Sequence, residues 1–264
     1  MDESQIIPGI HAAREALLAG KIKINEVWVA KGKRGHRVEE ILKIAREKGI
    51  GVRFKRAGEL EARLPGVTHQ GVALVAQEFS YSDLEGIVSQ ALQQKEHALL
   101  VAADHVTDEG NLGAIIRTAA FFGVHGLILP KDRSARVSPK VLKRSAGAYA
   151  HLPVARVVNL GRTLDLLRKK GFWIIGTAEK GPESIYRFDW KRDLVLVLGA
   201  EARGLSRSVR ERCHQVVRIP LQSEVSSLNV AVAGGVVLSE IIRQRGPGEA
   251  GAGIPLGRPL RRVP

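Results

Sequence analysis

Cysteine is almost missing: Cys213 is the single one in 264 residues. A disulfide within the chain is therefore impossible, and a thiolate metal cluster is excluded. The eight histidines show no metal-ligand spacing, so no metal is expected. Aromatic residues are scarce at 5%, against 44% apolar overall. Its cores must be built from Val, Ile, Leu and Ala, the composition of sheets covered on both faces. No apolar run reaches the length needed to span a bilayer. Met1-Asp-Glu-Ser lacks the basic and apolar regions of a signal peptide. These absences lead us to expect a cytoplasmic protein. Acidic residues are the minority sign, 27 against 41 Lys and Arg, for a net charge of +14. That surplus suggests a polyanionic partner. It is uneven: residues 97–246 carry a net +10, residues 1–78 a net +4.

What is present alternates strands with helices, the pattern of an α/β fold. Residues 1–78 read as a small α/β unit, with helices over 10–19, 37–48 and 59–63 and strands over 26–30, 51–54 and 71–76. Lys31-Gly-Lys-Arg-Gly-His-Arg37 is a basic, glycine-containing loop, either a solvated turn or a phosphate contact. Residues 79–96 shift toward Ser, Gln and Glu and read as a linker plus the first helix of a second domain. Residues 97–246 form a second βα series. Strands are expected at 98–103, 126–129, 154–158, 172–177, 194–198 and 215–219, and helices at 112–122, 138–145, 161–170, 205–211 and 229–244. Continuous apolar strands such as Leu194-Val-Leu-Val-Leu198 indicate a sheet buried on both faces. Residues 247–264 hold four Pro, four Gly and three Arg and read as a flexible basic tail. No Gly-x-Gly-x-x-Gly follows the first strand of the second series, and neither a Walker A sequence nor a Gly-x-Ser-x-Gly elbow is present.

Three stretches come after strand ends and can converge on one edge of a sheet, where open α/β sheets bind ligands. The first runs from Asp104 to Ala119. Asn111 stands where a helix N-cap is expected. Arg117, six residues on, is 240° round the helix from Asn111 at about 100° per residue. Its neighbours Ile115, Ile116, Ala119 and Ala120 are apolar, so it is expected to need a partner. The second is Leu198-Gly-Ala-Glu-Ala-Arg-Gly-Leu-Ser206, where glycines permit close approach of a ligand to the backbone. The third runs from Ile219 through a polar loop, 222–227, into the small residues Val230 to Gly235. Two glycines inside a helix cost about 1 kcal/mol each, so something should need the room. His105 could touch a substrate, although loop histidines are more often solvated. Cys213 reads as a small semi-buried residue rather than a nucleophile.

Asn111-x-Gly113-x-x-x-Arg117, Gly199-x-Glu201-x-x-Gly204 and Ile219-Pro220…Ser226-Ser227-Leu228-Asn229 resemble, in order and spacing, the three motifs of the SpoU (TrmH-type) RNA ribose 2′-O-methyltransferases. The similarity covers 97–246. Pro8-Gly-Ile-His-Ala-Ala13 is similar to the RlmB subgroup, which acts on a guanosine ribose of 23S rRNA and carries an N-terminal RNA-binding domain. Ala231 departs from the pattern, since many members carry Ser there.

The resemblance implies a C-terminal α/β trefoil-knot domain with a mainly parallel sheet, a small N-terminal α/β RNA-binding domain, S-adenosylmethionine as cofactor, and a homodimer that builds each active site. It implies cofactor contacts from Gly199, Ile219 and Leu228, with Thr177 and Ala178 on another contacting loop. It implies a catalytic and positioning set of Asn111, Arg117, Glu201, Ser227 and Asn229. The family proposal makes Arg117 the base. A neutral arginine is costly because its pKa exceeds about 12, so orienting the hydroxyl and the neighbouring phosphate is the physically easier role. RNA contact is expected from Lys131, Arg133, Arg136, Lys140, Lys143 and Arg144, with looped or single-stranded RNA as target. Two other substrates remain open within the superfamily, a tRNA guanosine and the rRNA target of an antibiotic-resistance enzyme. A binding-only ribosome-assembly factor is the non-enzyme alternative.

Overall fold

The computed structural model describes residues 4–246, apart from Lys21, Lys95, Ala202 and residues 222–226. The polar loop expected after Leu221 and the basic tail 247–264 therefore lie outside the described residues. The N-terminal unit runs β1 (Ser4–Pro8), α1 (Ile10–Ala19), β2 (Ile24–Ala30), α2 (His36–Glu47), β3 (Gly51–Lys55), α3 (Ala57–Arg63) and β4 (Val72–Gln77). Its strands make a mixed sheet in the order β1-β4-β2-β3, with β2 and β3 parallel and β4 antiparallel to both its neighbours. Sequence patterning does not single out β1. Only Ile6 and Ile7 are apolar there, and the strand is defined by its pairing with β4 rather than by its own periodicity.

The second series runs α4 (Leu84–Leu92), β5 (Leu99–Asp104), α5 (Glu109–Phe121), β6 (Gly126–Pro130), α6 (Pro139–Arg144), β7 (Val154–Val157), α7 (Leu160–Lys169), β8 (Trp173–Thr177), β9 (Glu183–Ser184), β10 (Leu194–Gly199), α8 (Arg207–Arg210), β11 (Gln215–Arg218) and α9 (Val230–Arg245). Seven strands order as β7-β6-β5-β10-β8-β11-β9, and every pairing is parallel. The two-residue β9 is too short to leave a sequence pattern.

Strand side chains alternate between two layers, as a pleated strand requires. Leu99, Val101 and Ala103 face the cluster that holds Leu112, Ile116, Leu142 and Leu238 of α5, α6 and α9. Leu100 and Ala102 face the cluster that holds Ile87, Val88, Leu164 and Val209 of α4, α7 and α8. The first cluster also takes in Ile7, Ala13, Val29, Ile41 and Leu74, so the two units share one contiguous apolar body. The glycines of α9 serve packing. A Cβ on Gly234 would come within 2.9 Å of Leu198 on β10, and one on Gly235 within 3.4 Å of Thr118 on α5.

Candidate active site

A parallel sheet sends all its strand ends, and the loops after them, to one edge. Here the loops after β8, β10 and β11 enclose a cleft of about 730 Å³. Thr177, Ala178, Gly199, Ile219 and Leu228, the five residues expected to meet a cofactor, all line it, and Glu201 and Ser227 line it with them. Leu205, Val217, Val230 and Ala233 supply an apolar wall that motif reasoning did not assign. The volume falls within the range of about 300–1,000 Å³ usual for small-molecule sites. Backbone shapes the cleft as much as side chains do. Ala178 N–H donates to Val217 O at 3.0 Å, and Thr177 Oγ1 donates to Val197 O at 3.2 Å, which fixes the loop after β8 against its neighbours.

Beside the cleft, the three motifs bond to one another. Asn229 Nδ2 donates to Asn111 Oδ1 at 2.8 Å and to Glu201 Oε1 at 2.6 Å. Asn111 Nδ2 donates to the same Glu201 oxygen at 2.8 Å. Asn229 is also the N-cap of α9, its Oδ1 accepting from Ala231 N–H at 3.0 Å and Val232 N–H at 3.3 Å. That cap fixes which end of the amide faces Glu201. Both amide bonds go to Glu201 Oε1, and Oε2 has no partner among the described residues.

The hairpin that presents Glu201 is built by its glycines. Ala200 and Gly204 exchange backbone hydrogen bonds at 3.1 and 2.7 Å, and Gly204 turns with φ +62°. A Cβ on Gly199 would sit 2.3 Å from the backbone carbon of Gly204. The demand for glycine at 199 thus comes first from the hairpin closing on itself, and only then from approach of a ligand. Underneath, Asp104 is fully buried and pairs in register with Gly199. Its Oδ2 accepts from Ser206 N–H at 2.6 Å, closing the hairpin, and its Oδ1 meets His105 Nδ1 at 2.6 Å. An acid ending the apolar run Leu99-Leu-Val-Ala-Ala103 was the available signal, because a buried carboxylate must find donors.

Two expectations for the first motif need correction. Asn111 is not the N-cap of α5: Asp108 is, its carboxylate accepting from Asn111 N–H at 2.7 Å, and the helix starts three residues before the expected boundary. The charged carboxylate takes the capping place and frees the Asn111 amide to reach Glu201. Arg117 is exposed and makes no hydrogen bond or ion pair with the described residues, so the expected partner is not found among them. Ile115, Ile116 and Ala119 turn into the core, and Arg117 lies on the opposite side of the helix.

The basic stretch is divided. Lys131, Arg133, Arg136 and Arg144 are exposed, with side chains making no hydrogen bond or ion pair to the described residues. Lys140 lies 3.8 Å from Glu109, and Lys143 Nζ donates to Thr68 O of the N-terminal unit at 2.5 Å. Burial pushes the Cys213 thiol up to about 11, which keeps it protonated and inert. Among the described residues, no group of three His, Cys, Asp or Glu is placed to hold a metal ion, and no helix is long and apolar enough to cross a membrane.

Comparison with known proteins places both units. Residues 98–239 match the model of the SpoU rRNA methylase family, and residues 6–82 match a model described as RNA 2′-O ribose methyltransferase substrate binding. The chain is 42% identical to the 23S rRNA (guanosine-2′-O-)-methyltransferase RlmB of Haemophilus influenzae, over 92% of this chain and 98% of that one. It is 40% identical to RlmB of Pseudomonas aeruginosa, over 94% and 99%. The crystal structure of the SpoU methyltransferase AviRb of Streptomyces viridochromogenes, in complex with the cofactor AdoMet, superposes with a TM-score of 0.76 at 28% identity, covering 92% of this chain and 91% of that one.

Proposed function

Because the chain belongs to the SpoU rRNA methylase family, we propose that it methylates the ribose 2′-hydroxyl of a guanosine in 23S rRNA, with S-adenosylmethionine as methyl donor. The observation that carries this reading is the direct bonding of Asn111, Glu201 and Asn229 at the rim of the cleft. One carboxylate thus ties three loops separated in sequence into a single junction beside the cleft.

The cleft suits that cofactor. Leu205, Val230 and Leu228 offer apolar surface to an adenine, the backbone at Gly199 and Ile219 lies open to its polar edge, and the Glu201 carboxylate suits a cationic sulfonium. When bound, the cofactor supplies an activated methyl group that needs no metal to leave. The chain's residues do the rest. Glu201, oriented by both asparagine amides, fixes the methyl-bearing end of the cleft. Asn111 and Asn229 lock that carboxylate and close one another's hydrogen bonds, so the site is set before substrate arrives. Ser227, exposed on the cleft rim, reaches the ribose. Arg117 orients the hydroxyl and the adjacent phosphate, and its permanent charge lowers the cost of the developing alkoxide.

Arg117 acts across a homodimer in this reading. Phe121, one turn on and on the same face, is 82% exposed, and Val232 on the neighbouring α9 is 53% exposed. Pairing these faces would bury both and bring Arg117 to the partner's site. In this reading the C-terminal segment is threaded as a trefoil knot, which the place of β11 outside β8 and the packing of α9 on β10 and α5 support. The N-terminal unit, residues 1–78, holds RNA, residues 79–96 link it to the knot domain 97–246, and the protein works in the cytoplasm. The exposed cations Lys131, Arg133, Arg136 and Arg144 hold the phosphates around the target. Mapping ribose methylation in 23S rRNA and tRNA from cells with and without this gene tests the proposal. One guanosine of 23S rRNA should lose its methyl group; a lost tRNA methylation would move the enzyme to the tRNA branch, and unchanged maps would leave only the assembly-factor reading.

A further inference from the structure

The cations expected to touch RNA lie on α6 and the loop before it, yet α6 is also where the N-terminal unit docks. Lys143 Nζ bonds Thr68 O at 2.5 Å, on the loop that leads into β4. Across that loop, the stem of Lys33 lies 3.2 Å from where a Cβ of Gly71 would stand. Lys33 belongs to the basic loop Lys31–Arg37, every residue of which is exposed. Arg37 reaches back to His11 at 2.7 Å, and no carboxylate among the described residues holds the side chain of Lys31, Lys33 or Arg34. At its other end the stretch meets the first motif: Ala135 N–H donates to Val106 O at 2.9 Å, which sets Arg133 and Arg136 beside the loop that carries Asp104 to Asn111.

We infer that these elements form one continuous RNA track within a single chain, from Lys33, Arg34 and Arg37 across the 66–71 loop, along α6, to the catalytic network. This rests on the RNA reading above and adds its path. Two features point to a nucleic-acid backbone rather than an acidic protein. The cation-bearing segments follow one another through the Lys33–Gly71, Lys143–Thr68 and Ala135–Val106 contacts, as the extended charge of a polyanion requires. Gly32 and Gly35 hold positive φ, and a Cβ at either would meet nothing within 4 Å, so the loop's backbone is open to phosphate. The track is also fixed rather than hinged. Gly147 turns with φ +89° directly against α1, and a Cβ there would lie 2.1 Å from Cβ of Glu15. Tyr149, Leu142, Ile7 and Ala13 share the apolar cluster beneath.

The test measures binding of the full-length protein to an unmethylated 23S rRNA transcript over a salt series, beside a short single-stranded RNA oligomer. The variants are Lys33→Ala/Arg34→Ala/Arg37→Ala, the control Lys43→Ala/Lys169→Ala/Lys170→Ala on other exposed surfaces, and Gly147→Ala, which forces the junction apart without removing a charge. Three lost phosphate contacts should lower the slope of log K against log salt by about 2. Transcript affinity should fall about tenfold or more, while oligomer affinity, cofactor affinity by calorimetry and kcat at saturating RNA stay as in the wild type. Gly147→Ala should lower the slope in the same direction, and the control should not move it. An unchanged slope in the triple variant overturns the track, as does equal weakening for the short oligomer. So does competition by polyglutamate as effective as that by RNA, which would mark an acidic-protein surface. A wild type that binds cofactor but neither RNA is a different failure, that of the RNA reading itself.

Discussion

The two edges of the parallel sheet use the same kinds of polar side chain to opposite ends. At the edge where the strands begin, such groups are turned onto backbone. Arg245 donates to Trp190 O at 3.1 Å, His97 O at 2.7 Å and Arg192 O at 2.7 Å, which pins the end of α9. Asp193 accepts from Ala98 N–H at 2.6 Å, and the imidazoles of His125 and His214 accept from Leu99 N–H and Ile174 N–H. At the edge where the strands end, Asn111, Glu201 and Asn229 bond one another across three motifs, and Glu201 Oε2 has no partner among the described residues. One edge spends its polar groups on the backbone beside them and is structure. The other holds polar groups rigidly while leaving them something to bind.

Breaking that contrast gives the largest effect at the open edge. Asn229→Ala removes both bonds to the network, so methyl transfer should fall about 10²–10³-fold at saturating substrates. The same change removes the cap of α9 and should cost about 1 kcal/mol of stability in a denaturant titration. Next, Arg117→Lys keeps the charge but loses the planar fork, and activity should drop about tenfold or more; near-full activity would remove bidentate positioning from the mechanism. At the closed edge, Arg245→Met strands three carbonyls. Stability should fall by about 1–3 kcal/mol with kcat per folded molecule unchanged, and a lost kcat would mean that this edge is not merely structural.

The smallest effect concerns pH. Burial holds the imidazoles of His125 and His214 below their usual value. The folded state therefore resists protonation that the unfolded chain accepts. Stability is fully present above the ordinary imidazole value of about 6.5 and is lost as pH falls through that value toward the folded ones. Thermal melts on the acid side of neutrality should show a falling Tm, less so in His125→Gln; equal slopes would exclude His125 as a contributor.

Much of this was legible in sequence because local pattern and global fold agree. Leu194-Val-Leu-Val-Leu198 reads as a strand covered on both faces, and the five residues that the family resemblance named as cofactor contacts all line one cleft. What was not legible depends on partners far along the chain. β1 exists by pairing with β4, which no local period encodes. The start of α5 was misplaced because Asp108 and Asn111 both suit an N-cap, and only the third dimension shows that Asn111 is taken by Glu201. Arg117 was expected to need a partner, yet helix phase alone carries it outward. Asp104 went unassigned because its donors, Ser206 N–H and His105, become neighbours only when β5 and β10 pair.

The most direct measurement uses the purified protein, an unmethylated 23S rRNA transcript and S-adenosylmethionine labelled in its methyl group, with the product RNA digested to nucleosides. The account predicts label in 2′-O-methylguanosine alone, appearing about 10²–10³-fold more slowly with Asn229→Ala. Label on a base, or none from wild-type protein that demonstrably binds both ligands, would contradict it.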